Sequence, residues 1–374
     1  MRTRILMMAA FLALPGSSMA GEIGESLNFG DSGFGFRAVI INPAQSGAVF
    51  TSRVSRPAAE PYDTLAMEGR MSDPGLAAEA RSGDGDWQAM TVKHFDGGRF
   101  WAKIRFPSAS ANPVQIRLLN AGLKGKCEVA VYDVEVFEDK GELKDDGGAL
   151  PEPPPSARLS APPAIPGLSF VSRSAWKAEP PNGSYTGQTP SRVTLHHTAG
   201  HQPMNRADGI KEMRFLQDYH KNVRHWTDIA YHFVIDGEGT IYQGRPINAQ
   251  GAHVLNNNAN NAGVSVMGNF MDGPPTKAQL KAVETALTQI AKFYKIGVKK
   301  IYAHREIGSS DCPGNVLYDK FLDIRSTLNV KGDAQPDTEA APRVLLEKAP
   351  GSDAVPLGLK NAGQLDYLFR RNVW

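Results

Sequence analysis

The order of apolar and polar positions divides the chain into a strand-patterned first part and a mixed second part. Val114, Ile116 and Leu118 alternate with Gln115 and Arg117, the period of two expected of a half-buried strand. Cys127, Val129 and Val131 share one parity, whereas Val134 and Val136 share the other. A β-bulge near Tyr132 or Asp133 accounts for the switch. Residues 25–145 therefore read as all-β and sandwich-like, with Trp87, Trp101 and Phe106 in the core or, less simply, stacked on sugars. After residue 167 the pattern becomes α and β together. Val193-Thr194-Leu195 is a short strand, and 206–222 carries Ile210, Met213, Phe215, Leu216 and Tyr219 at helical spacing. Residues 231–245 predict a hairpin turning at Asp236-Gly237-Glu238-Gly239. Residues 263–270 are a further strand. Thr276 with Gln279 three positions on forms a capping box ahead of Leu280, Val283, Leu287 and Ile290, and Gly297 lies past that helix. Ile301-Tyr302-Ala303 is a strand leading to His304, and 318–328 a last short helix.

Punctuation between these patterns gives the domain organisation. Residues 1–20 begin with Arg2 and Arg4, continue through an apolar run at 5–14 and end on Ser18-Met19-Ala20. That order predicts a secretory signal peptide cut after Ala20, and the run is too short to span a bilayer. The expected location is periplasmic or extracellular, with no membrane span. A β-rich domain of unassigned role follows at 21–147. A linker at 148–166 contains Pro151, Pro153, Pro154, Pro155, Pro162, Pro163 and Pro166, which favour semi-stiff extended backbone. The α/β domain occupies 167–330, and 331–374 is a polar tail with some order expected only from 365 to 374. Charge is nearly balanced, 41 basic against 39 acidic residues, so nothing in it implies a nucleic-acid partner. Two domains suit a chain of 374 residues, and a monomer is expected.

Eight of the nine histidines lie between 196 and 304. His196 and His197 end one predicted strand, His304 follows another, and Cys312 comes eight residues later. Strand ends collect distant side chains on one rim of a sheet. Two imidazoles and a thiolate there match a catalytic zinc, which keeps three protein ligands and a fourth position for water. His196 and His197 cannot both face the metal from an extended strand, and spacing does not choose between them. A structural zinc would need His197 as a fourth ligand. Cys127 and Cys312 are the only cysteines, and in an oxidising compartment a disulfide between them would remove the ligand. No His-Glu-x-x-His helix motif occurs.

Several blocks occur in one order along 168–330. They are Ser172-Arg173-Ser174-Ala175-Trp176, the stretch 193–200 around His196-His197-Thr198, and Trp226-Thr227-Asp228-Ile229-Ala230-Tyr231-His232-Phe233. Tyr242-Gln243-Gly244-Arg245, Gly251-Ala252-His253, Gly268-Asn269-Phe270, Ala303-His304-Arg305-Glu306 and Asp311-Cys312-Pro313-Gly314 complete them. This domain resembles the peptidoglycan recognition proteins and the type-2 N-acetylmuramoyl-L-alanine amidases. The resemblance implies an α/β amidase domain with a central mixed sheet flanked by helices. It implies Zn2+ held by His196, His304 and Cys312, with His197 packing nearby. It also implies hydrolysis of the amide between the lactyl group of N-acetylmuramic acid and L-alanine in peptidoglycan or muropeptides. Tyr231 matches the tyrosine placed beside zinc, and Ser310 stands where related enzymes carry Lys or Thr. Trp226, Arg245, His253 and Asn257 match regions lining the family's peptide groove, where Arg245 could pair with a carboxylate. Members without amidase activity lack the Cys, so Cys312 favours catalysis over the alternative, a non-catalytic recognition protein.

Overall fold

The computed structural model describes residues 25–29, 35–40, 46–139, 161–271 and 273–330. The expected leader at 1–20, the first part of the linker and the tail from 331 lie outside the described residues.

The N-terminal region is sheet-rich. Its strands are β1 (Glu25–Ser26), β2 (Phe36–Ile40), β3 (Ala48–Thr51), β4 (Tyr62–Met71), β5 (Leu76–Ser82), β6 (Gln88–Ala89), β7 (Thr91–His94), β8 (Arg99–Ser110), β9 (Val114–Asn120) and β10 (Cys127–Phe137). One sheet runs β1-β10-β4-β8-β7, with β2 also on β10, and a second runs β3-β9-β5-β6. Leu65, Phe100 and Val129 from the first share one apolar cluster with Ala80, Ile116 and Leu118 from the second. The register of β10 against β4 shifts between Val131 and Asp133, so the parity switch is a bulge as expected. Trp87 departs from the expectation. It is half-buried and sits under the guanidinium groups of Arg81 and Arg117, 4.8 and 4.5 Å from its ring centre. Phe106 is core, whereas Trp101 faces the second domain.

The second domain adds β11 (Arg192–His197), α1 (Arg206–Asp218), β12 (Phe233–Ile235), β13 (Ile241–Gln243), β14 (Asn261–Val266), α2 (Lys277–Tyr294), β15 (Ile301–Ala303), α3 (His304–Ile307) and α4 (Asn315–Thr327). Its sheet is mixed, ordered β13-β12-β14-β11-β15, with β11 parallel to both β14 and β15 and the hairpin β12–β13 antiparallel. Asp236 closes that hairpin by accepting from the N–H groups of Glu238 and Thr240. Thr276 and Gln279 form the expected capping box on α2. Val193, Leu195, Phe233 and Ile235 bury one face of the sheet against α2 and α4. Val234 and Tyr242, on the other face, pack with Met213, Phe215 and Leu216 of α1.

This second cluster also contains Ala66, Trp101 and Phe137, so the two domains share a core. Polar contacts reinforce it. Arg99, 3% exposed, donates to both carboxylate oxygens of Glu212 at 2.8 and 3.0 Å, pairs with Glu68 and lies 3.7 Å over the Phe215 ring. Trp101 Nε1 donates to Asp218, and Lys103 to Asp139 and the Val223 carbonyl. Glu135 accepts from the Tyr219 hydroxyl and from Arg224.

Candidate metal centre

Strand parity places the first donor. Val193 and Leu195 are buried under α2, so Thr194 and His196 face the opposite side of the sheet. His197 shares the parity of Leu195, and its ring packs 6.3 Å from that of Phe270. Strand register places the second donor. Leu195 pairs with Ala303 across the parallel β11–β15 ladder, so the next residues, His196 and His304, emerge side by side with rings 4.7 Å apart. Gly308 gives the His304 ring room, since a Cβ there would lie 2.9 Å from it. The 308–312 loop brings the third donor back. Arg305 N–H donates to the Cys312 carbonyl, and His197 N–H donates to Cys312 Sγ at 3.3 Å.

One donor atom from each of His196, His304 and Cys312 lies within 4.8 Å of the others. Cys312 Sγ is 3.6 Å from His196 Nδ1. A tetrahedral zinc with ordinary Zn–S and Zn–N bond lengths separates sulfur from nitrogen by about 3.6 Å, so the residues fit the metal. Cys312 and Cys127 are both free thiols, and Cys127 is buried in the β-domain core. The disulfide alternative is thereby removed.

Hydrogen bonding fixes which nitrogen of His196 is bare. His253 Nε2 lies 3.1 Å from the Asn261 carbonyl, which can only accept, so His253 carries its proton on Nε2. Its Nδ1 is then an acceptor, and His196 Nε2, 2.9 Å away, must donate to it. His196 Nδ1 is left with a free lone pair directed at Cys312. Burial, then the neighbouring His304 and His253, hold His196 well below the usual imidazole range, so the ring is neutral and fit to ligate. Burial pushes the Cys312 thiol up to about 12, opposed by the His197 N–H and by Arg305. A bound cation would displace this proton to solvent and be held by the thiolate.

Around these donors lies a cleft of about 1050 Å³. Tyr231, Trp226, Ser310, His253 and Asn257 all line it. The Tyr231 ring is 5.3 Å from that of His196, and burial, then Cys312, raise its phenol above the ordinary value. Trp226 packs against His220 at 5.0 Å. The Ser310 hydroxyl accepts from Cys312 N–H at 3.1 Å. Asn257 spends its amide inside the fold, donating to the Ile307 carbonyl and accepting from Arg192. His253 is 7% exposed and is committed to His196 and Asn261, so it supports a donor more than it offers a contact.

Arg245 departs from the expectation. It is fully buried and does not line the cleft, and its guanidinium donates to the carbonyls of Asp228, Ile229 and Gln250. A backbone-bracing arginine cannot meet a substrate carboxylate. Sequence reasoning also missed an entire wall of the cleft, which comes from the β-domain through Glu25, Glu60, Tyr132, Asp133 and Glu135. No short-range signal marks that contact, because it joins residues from 61 (Glu135 to His196) to 287 (Glu25 to Cys312) positions apart.

The family described as N-acetylmuramoyl-L-alanine amidase matches residues 186–315, which contain all three donors. Peptidoglycan-recognition protein SC2 of Drosophila simulans is 33% identical over 164 residues, 42% of this chain and 87% of its own length. The chain belongs to the peptidoglycan-recognition protein and N-acetylmuramoyl-L-alanine amidase family. Relatives carry both names. A human protein named N-acetylmuramoyl-L-alanine amidase is 36% identical over 111 residues, 29% of this chain but 19% of that protein. Among solved structures, Drosophila peptidoglycan recognition protein SD is 31% identical with a TM-score of 0.40, covering 41% of this chain and 93% of its own. The family match begins at residue 186, after the β-domain.

Proposed function

We propose that this family member is a zinc-dependent amidase that hydrolyses the lactyl–L-Ala amide bond of bacterial peptidoglycan, after export to the periplasm or beyond. The observation that carries the reading is the convergence of His196, His304 and a free Cys312 in one cleft, with donor atoms within 4.8 Å. Two nitrogens and one sulfur form the open donor set of a catalytic zinc. When bound, the metal would act as a Lewis acid and lower the pKa of water towards neutrality.

The remaining work falls to the chain's own residues. His253 holds His196 in the tautomer that leaves Nδ1 bare, and Asn261 holds His253. The His197 N–H steadies the Cys312 sulfur. Tyr231, a phenol that holds its proton at neutral pH, lines the cleft beside His196 and so serves as a donor to the oxyanion that develops as the amide carbon becomes tetrahedral. Trp226 offers a flat face for a sugar or peptide plane. Ser310 supplies no positive charge, and its role is to orient the Cys312 loop.

The test is an assay of the protein lacking residues 1–20 on peptidoglycan, with and without a chelator, following new N-terminal alanine. Release that the chelator stops, zinc restores and Cys312→Ser abolishes is the expected result. Binding to the polymer without release, in protein that demonstrably holds zinc, would leave a recognition protein in place of an enzyme.

A further inference from the structure

Trp226 reaches the cleft on a stretch with no helix or strand of its own, between a π-turn at Tyr219–Val223 and β12. The two ends of that stretch are held differently. Beyond Trp226 the α/β domain braces itself: Arg245 donates to the Asp228 and Ile229 carbonyls, and Arg173 pairs with the Asp228 carboxylate at 2.8 Å. Ahead of Trp226 the bracing comes from the β-domain. The Lys103 ammonium has three donors and directs them at Asp139 at 2.9 Å, the Val223 carbonyl at 3.0 Å and His225 Nε2 at 2.9 Å. Glu135 accepts from the Tyr219 hydroxyl and, at 3.2 Å, from Arg224. The Arg224 side chain is 2% exposed, and its guanidinium stands 4.1 Å from the Phe137 ring and 5.3 Å from the Trp226 ring. His225 has a φ of +57°, a left-handed form that a residue with a side chain keeps only where its surroundings over-determine it. Trp226 N–H donates back to the His220 carbonyl at 2.9 Å, and the His220 ring lies 5.0 Å from that of Trp226 and 5.7 Å from that of Tyr231.

We propose that Lys103 and Glu135 of the β-domain are positioning residues for ligand binding, holding residues 219–226 in the shape that presents Trp226 to the cleft. The proposal rests on the peptidoglycan reading above and gives the β-domain a task, that of shaping the ligand wall of the neighbouring domain. A π-turn and a left-handed histidine are both less favourable than the helical path that α1 would otherwise continue, so this shape needs contacts from elsewhere. The β-domain supplies them at Tyr219, Val223, Arg224 and His225, directly ahead of Trp226. An aromatic platform binds best when it is fixed before the ligand arrives, since ordering a loop on binding is subtracted from the contact energy. Freeing the segment therefore weakens binding through Trp226. It leaves His196, His304 and Cys312 in place, because they stand on other parts of the chain.

Calorimetric binding of a soluble disaccharide muropeptide to the full exported chain, with chelator present to stop turnover, tests this as a double-mutant cycle. Trp226→Ala should weaken binding about tenfold, as expected of an aromatic anchor. Lys103→Met should weaken it about threefold to tenfold in the native background, and less than about twofold on top of Trp226→Ala. Lys103 does not line the cleft, so its effect has no direct route to the ligand. Glu135→Gln gives the same comparison should Lys103→Met fail to fold. Zinc affinity, read by competition with a chromophoric chelator, should be unchanged in both variants, which a general loosening of the fold would not allow. Native muropeptide affinity in both variants overturns the proposal and leaves the amidase reading intact. So does an effect undiminished on top of Trp226→Ala, or native affinity in Trp226→Ala itself. Failure of the native chain to bind the muropeptide removes both readings together.

Discussion

His253 illustrates how a residue's partners decide its role more than its neighbours in sequence do. A motif match puts it in a substrate groove, but its two ring nitrogens are taken, one by the Asn261 carbonyl and one by His196. Replacing it by Ala should therefore weaken zinc binding by about 10- to 100-fold, the usual worth of such a supporting partner, measured by competition with a chromophoric chelator. Unchanged zinc affinity with reduced muropeptide affinity would return it to the groove. Arg245 makes the converse case. Removing its side chain orphans the carbonyls of Asp228, Ile229 and Gln250, and Arg245→Ala should cost roughly 2–4 kcal/mol in denaturant unfolding. Loss of muropeptide affinity at unchanged stability would contradict that. For Tyr231→Phe, the loss of one oxyanion donor predicts a fall in kcat of about 100- to 1000-fold with KM nearly unchanged. The choice between His196 and His197 needed the structure, because spacing alone leaves it open. Val193 and Leu195 share the parity of His197, so once their face is known to be core, His196 must point the other way.

At the scale of elements, what was legible was local. The α2 capping box, the Asp236 turn and the β10 bulge each depend on residues a few positions apart, and each appears as the pattern predicts. Register was not legible, because nothing in β11 or β15 announces that Leu195 will sit beside Ala303. That one pairing nevertheless delivers His196 and His304 to the same rim. The helix expected over 206–222 shows the limit from another side. The α-helix stops at Asp218 and continues as a π-turn over Tyr219–Val223, where Tyr219 and Arg224 reach Glu135 and Lys103 reaches the Val223 carbonyl. Periodicity carries no sign of an anchor supplied by another domain. The same interface gives an energetic prediction. Arg99→Met would leave Glu212 and Glu68 buried without their cation, and should cost about 3–5 kcal/mol in a denaturant titration. A change below about 1 kcal/mol would mean that water reaches the pair and the interface is looser than its packing implies.

For the molecule as a whole, the proline-rich stretch invites the expectation of two independent domains on a semi-stiff tether. The packing argues otherwise. Trp101 and Phe137 from the first domain share a buried cluster with Trp176, Met213 and Phe215 from the second, and the Arg99 pairs lie within the same seam. Composition cannot reveal this, since Trp101 is as apolar facing a partner domain as facing its own core. The consequence reaches function, because the cleft has walls from both domains and exists in full only while they stay docked. A shared core also couples their stabilities, so opening either domain exposes apolar surface of the other. Scanning calorimetry of the full exported chain should accordingly show one cooperative transition, with calorimetric and van't Hoff enthalpies in agreement. Arg99→Met should lower that single transition without splitting it. Two resolved transitions in the native chain would mean that the seam contributes little to stability, and that the acidic wall is held beside the metal donors by the linker alone.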